Sequence, residues 1–218
     1  MTDDETPSGP QGLYSPLVEA AVRLAARGHY HQFRKRDRVG DAPAVPKNPL
    51  PSDHIPYVTH LMGTVTILAR LGARDEILAA AALHDYLEDV PDPDGRDRIL
   101  ETTSAEVLGL VQAVTEDKRP ERGSGETWKV RKEEQLDGIA SIPRDAVFIK
   151  GADALHNLLS LEVDLERAAD PQAVWDRFNA PREQQFWYFS GILDAVADRL
   201  GDHPLVGELA DVIERLRL

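Results

Sequence analysis

Residues 82 to 90 read ALHDYLEDV and set four ionisable side chains, His84, Asp85, Glu88 and Asp89, in an otherwise alanine- and leucine-rich segment. Charge in an apolar helix is costly unless something pairs with it, so the cluster asks for a partner. On a helix, residues three and four apart are neighbours. His84 therefore neighbours Glu88, and Asp85 neighbours both Glu88 and Asp89. The two acids also stand near the carboxyl end of the segment, where the helix dipole disfavours anions. A divalent cation held by His84 and Asp85 would answer both problems.

Two donors do not complete such a site, so others must come from elsewhere in the chain. His60 closes the run PYVTH, and Asp153 lies in KGADALHNLL with His156 nearby and Asn157 one turn on. His60, His84, Asp85 and Asp153 would supply two imidazoles and two carboxylates, a mixture that suits Mn²⁺, Fe²⁺ or Zn²⁺ better than Mg²⁺ or Ca²⁺. The chain has no cysteine, which excludes disulfides and thiolate sites. Taken singly, each feature has a plainer reading. A lone His60 is more often packed or solvated than a ligand. His29 and His31 read as cations near the last carbonyls of the first helix. Asp153 and Asn157 could share an interhelical hydrogen bond. The joint pattern is far less common by chance than any member of it.

The elements that must position these residues read as helices separated by Pro/Gly breaks. Residues 15–30 open with a Ser cap and Pro in the first turn, with Leu17, Ala20, Ala21, Leu24 and Ala25 on one face. Residues 56–72 repeat the pattern and stop at Gly72. Residues 73–90 form one helix that carries the cluster, ending before Pro91. Residues 103–117, 127–142, 144–170, 181–200 and 204–218 continue the series. No strand alternation stands out, so the fold class is all-α, a compact multi-helix bundle. Two connections break the compact pattern: a Pro-rich stretch at 36–56 and a shorter polar one at 118–125. A loop of about twenty residues inside a compact domain is uncommon and often functional.

The net charge is −13. That argues against a broad nucleic-acid footprint, though not against a small anionic substrate met by a few local cations. Residues 1–12 are acidic and Pro/Gly-rich, with no basic start and apolar run, and read as a disordered leader before one domain at 13–218. No stretch approaches the roughly twenty apolar residues that span a bilayer. A cytoplasmic protein with no membrane or nucleic-acid partner is expected; oligomeric state is left open.

With HYHQFRK, PYVTH, LHDYLED, VTEDK and KGADALHN in this order, the chain resembles the HD superfamily of metal-dependent phosphohydrolases over about residues 15 to 190. More narrowly, it is similar to the (p)ppGpp hydrolase domain of RelA/SpoT proteins and the small alarmone hydrolases. The resemblance implies that His60, His84, Asp85 and Asp153 ligate one divalent metal, foremost Mn²⁺. It implies that Glu88 and Asp89 position and activate water. Arg34 and Lys35 would bind substrate phosphates, and Lys118, Asn157 and Arg182 would make further substrate contacts. The expected activity is 3′-pyrophosphohydrolysis of a nucleotide such as (p)ppGpp. The alternatives are another nucleotide or phosphoester as substrate, or a nucleotide-binding regulator without catalysis. Tyr86 stands where the family commonly has Thr, His31 where it has Gly, Ala154 where it has a basic residue, and Phe186 where alarmone hydrolases often have Tyr.

Overall fold

The computed structural model describes residues 13–34, 55–119 and 124–217. Lys35, most of the 36–56 connection and the 1–12 leader lie outside them. The described residues form eleven helices and no strand: α1 (Pro16–Gly28), α2 (Val58–Arg70), α3 (Asp75–Leu83), α4 (Tyr86–Asp89), α5 (Gly95–Thr102), α6 (Ala105–Val114), α7 (Ser124–Ile139), α8 (Arg144–Arg167), α9 (Pro171–Trp175), α10 (Arg182–Leu200) and α11 (Pro204–Arg217). The all-α expectation holds. No helix among the described residues is long and apolar enough to cross a membrane.

Local chemistry sets the helix ends. The Ser15 and Ser104 hydroxyls accept from the backbone N–H groups of Val18 and Val107 at 3.2 Å, capping α1 and α6. Gly72, at φ 77°, turns the chain out of α2 in a conformation that side chains disfavour. The short α5 and α9 do not stand out in the sequence. α5 buries only Gly95 and Ile99, and α9 has five residues behind its Asp170 cap.

α3 lies at the centre. Its residues from Ile77 to Leu83 are all buried, and it packs on α1, α2, α6 and α8. The four alanines at 79–82 let these neighbours approach closely. Arg74 ties the start of α3 to α6 and α8 through Glu106 and Asp145, each at 2.5 Å. α8, the longest helix, packs against α2, α3, α6, α9, α10 and α11.

The expected single helix over 73–90 is corrected here. α3 stops at Leu83, His84 remains helical, and Asp85 (φ −96°, ψ 0°) leaves the helix before α4 restarts it. The Asp85 carbonyl accepts from the N–H groups of Glu88 and Asp89, and the Tyr57 hydroxyl donates to Asp85 Oδ2 at 2.6 Å. Helix-face arithmetic therefore does not carry across the His84–Asp85 step.

Candidate metal and active site

Three helices bring four side chains to one point. His60 comes from the first turn of α2, His84 and Asp85 from the α3–α4 break, and Asp153 from the middle of α8. His60 Nε2 lies 3.1 Å from Asp153 Oδ1 and 3.6 Å from Asp85 Oδ2. His84 Nε2 lies 3.2 Å from Asp85 Oδ2 and 3.6 Å from Asp153 Oδ1. His60, His84 and Asp85 each offer a ligand atom within 4.8 Å of the others.

The hydrogen bonds behind these rings set their orientation. His84 Nδ1 donates to the Ala81 carbonyl at 2.8 Å, which turns Nε2 toward the carboxylates. That Nε2 is buried and has no hydrogen-bond partner among the described residues, although two carboxylate oxygens lie within 3.6 Å. The contacts are short but poorly aligned for an N–H···O bond. A nitrogen so placed fits a cation between itself and the acids, in keeping with this mixed N/O donor set. Burial alone would favour neutral His84, but Asp85 and Asp153 outweigh it and raise the ring's pKa well above its usual value. A proton and a metal ion answer the same pair of acids.

His60 is oriented by His156. Their Nδ1 atoms are 2.9 Å apart. Burial, reinforced by repulsion from His60 and Arg34, lowers the His156 pKa to about 4, so His156 is neutral and accepts. The Nδ1–H of His60 then donates, and its Nε2 faces Asp153 and Asp85. Gly63 makes this contact possible, because a Cβ there would overlap the His156 ring. Asn157 donates to Asp153 Oδ1 at 2.7 Å and accepts from the Arg34 guanidinium at 3.0 Å.

A second chain of contacts fixes the acid pair. Gln32 donates to the Asp89 carbonyl at 2.6 Å and accepts from His29 Nδ1 at 2.7 Å. His29 stacks on Tyr57, with ring centroids 5.1 Å apart. The reading of His29 as a helix-end cation is corrected: it is buried, and burial lowers its pKa. Glu88 accepts the backbone N–H of Glu116 at 2.7 Å. Burial, with repulsion from Asp85, pushes its carboxyl up to about 7. Lys118 contacts Asp89 directly and lies 3.5 Å from Glu88 Oε2. Burial would lower the Lys118 pKa, but these carboxylates more than offset it.

Of these residues, His60, Asp85, Glu88, Asp89, Lys118 and Asp153 line a cavity of about 880 Å³, which also receives Arg131, Lys132 and Lys150. Its lining includes Phe33, Arg34 and Ile55. Phe33 and Pro56 form an antiparallel bridge, and Arg34 N donates to the Ile55 carbonyl at 2.9 Å. The structure does not bring Arg182 here. It donates to the Leu216 carbonyl at 3.3 Å and sits over the Phe186 and Trp175 rings, in a separate depression. The cause is helical phase. Gln185, Tyr188, Phe189 and Ile192 give α10 its cavity face, whereas Arg182, Phe186 and Ser190 share a different one. Nothing in residues 181–200 marks Gln185 or Tyr188 for the cavity, and Gln32 and Tyr57 fall within HYHQFRK and PYVTH without a motif that fixes their partners.

Comparison with known proteins adds the lineage. Residues 42–185 match the HD domain family. A solved structure of a metazoan ortholog of SpoT, described as hydrolysing ppGpp, superimposes with a TM-score of 0.69 at 27% identity, covering 94% of this chain and 98% of that one. A Drosophila melanogaster guanosine-3′,5′-bis(diphosphate) 3′-pyrophosphohydrolase is 38% identical over 111 residues, 50% of this chain. A probable GTP diphosphokinase of Arabidopsis thaliana is 33% identical over 108 residues, 49% of this chain. The chain spans 58% of the length of the fly protein and 15% of the Arabidopsis one.

Proposed function

The chain belongs to the HD domain family, and from that footing we propose that it is a metal-dependent phosphohydrolase removing the 3′-pyrophosphate of a guanosine polyphosphate such as (p)ppGpp. The observation that carries this reading is the convergence of His60, His84, Asp85 and Asp153 beside Glu88 and Asp89 in a cation-lined cavity. The similarity to the ppGpp-hydrolysing metazoan protein supports the substrate.

In this reading those four residues hold one divalent ion, with Mn²⁺ the proposed metal. When bound, it acidifies water and offsets charge on the attacked phosphoryl group. Glu88 accepts the proton of the attacking water. The bond between the 3′ oxygen and its phosphorus breaks, and the ribose oxygen takes up a proton. The products are pyrophosphate and a nucleoside 5′-diphosphate. The Lys118–Asp89 pair stands beside this exchange, and Arg34, held by Asn157, presents its remaining N–H groups to phosphate.

The test is a panel of ppGpp, NADPH and deoxynucleotides with Mn²⁺, with pyrophosphate and phosphate release measured separately. Stoichiometric pyrophosphate and GDP from ppGpp are expected, at the highest kcat/KM of the panel. A higher kcat/KM on another member would overturn the substrate assignment. No turnover of any member by metal-loaded protein would favour a binding role.

The support of His60 gives a second expectation. Gly63→Ala displaces His156 from His60 Nδ1 and should weaken metal affinity by about 10–100-fold, the scale for groups that orient a ligand. Calorimetric titration of Mn²⁺ checks it. Unchanged affinity would remove His156 from the metal site.

A further inference from the structure

Lys150 lies on α8, three residues before Asp153, and lines the cavity together with Lys132 of α7 and Tyr188 of α10. It is only 8% exposed, yet it makes no hydrogen bond or ion pair among the described residues. Its ammonium opens on the cavity, and a cation so confined is normally matched by an acid. Burial would strip its proton, but the carboxylates of Asp153, Glu88 and Asp85 hold its pKa up. Asp153 and Asp85 are already committed to the imidazoles, and Glu88 is engaged by the Glu116 N–H at 2.7 Å and by Lys118 at 3.5 Å.

The surroundings are also short of acid. Lys132 on α7 lies 2.6 Å from Glu116 Oε2, and Arg131 contacts the other oxygen of the same carboxylate. One acid thus serves two cations, and Lys150 adds a third. Tyr188 donates to Gln135 at 2.6 Å, and the Lys132 ammonium sits 4.8 Å from the centre of the Tyr188 ring, so the wall is built and hydrogen-bonded. In a chain of net charge −13, Arg131, Lys132 and Lys150 all line this cavity, and Glu116 meets the first two.

We propose that Lys150 and Lys132 form an anion subsite that takes the pyrophosphoryl group split from the nucleotide. Two ammonium groups at the wall of one cavity suit a compact polyanion, whose oxygens would supply the charge-assisted bonds that Lys150 lacks. The identity of the anion rests on the proposed hydrolase activity; the existence of the subsite does not.

The experiment is equilibrium dialysis of inorganic pyrophosphate against the full chain carrying stoichiometric metal, with GDP as a second probe. Lys150→Met and Lys132→Met should each weaken pyrophosphate binding by about tenfold or more, the scale of a lost charge-assisted contact. Metal content and GDP binding should not change. Lys150→Met should also hold or raise the Tm of ligand-free protein, because it removes a confined cation that has no carboxylate partner. A lower Tm would show a structural cation and overturn the proposal. So would parental pyrophosphate affinity in both variants, or a loss confined to GDP. If the parent hydrolyses no guanosine polyphosphate but the variants still lose pyrophosphate, the activity reading fails and the subsite stands. If the parent hydrolyses ppGpp and the variants bind pyrophosphate like the parent, the subsite fails alone.

Discussion

Asp85→Ala should abolish stoichiometric metal binding and lower turnover by at least about 10³-fold, because the ion's contribution to the barrier is several kcal/mol. Asp85 is the carboxylate nearest His84 Nε2 and lies within 3.6 Å of His60 Nε2, so its loss removes the group that faces both imidazoles. The fold should survive. Asp85 sits in the break between α3 and α4, where its backbone carbonyl, unchanged in alanine, still accepts from Glu88 and Asp89. The Tyr57 hydroxyl loses its 2.6 Å acceptor, which should cost about 1–3 kcal/mol. Metal analysis, far-UV circular dichroism and thermal melting together check this. Full metal occupancy with parental activity in the variant would sink the assignment of Asp85.

The donors were legible in the sequence because their types are restricted and their motifs are short. His60, His84, Asp85 and Asp153 needed only to be placed on helices that pack together, and the apolar periodicity of α2, α3 and α8 implies that packing. The local geometry was not legible. Nothing in ALHDYLEDV marks the step at Asp85, since its residues favour a continuous helix; Tyr57, distant in sequence, holds the carboxylate there. The position of Arg182 was not legible for a related reason: the packing of α10 on α11 and α7 decides what each of its faces meets. Lys150 was missed because its meaning is a missing partner, and a sequence does not show which cations go unpaired.

Glu88→Gln should retain metal yet lose about 10²-fold or more in turnover, the scale of a positioned acid or base. The substitution is clean, because the glutamine carbonyl can still accept the Glu116 N–H that Glu88 Oε1 receives at 2.7 Å. What it removes is the capacity to take a proton. With its pKa pushed up to about 7 by burial, Glu88 gains its basic form as pH rises through neutrality. In the parent, kcat/KM should therefore climb to about that pH and level off, and Glu88→Gln should lose this rising limb. Stability gives an independent sign. A carboxyl whose folded pKa lies above its unfolded value of 4.5 is destabilising once ionised. The penalty grows from pH 4.5 to about 7 and is constant above. The neutral amide escapes it, so the variant should melt higher than the parent at pH 8 and nearly equal to it at pH 4. Lower activity with higher stability is the signature of a carboxylate kept buried for its chemistry. Unchanged turnover would remove Glu88 from the mechanism, and a matching loss of metal would make it a ligand instead.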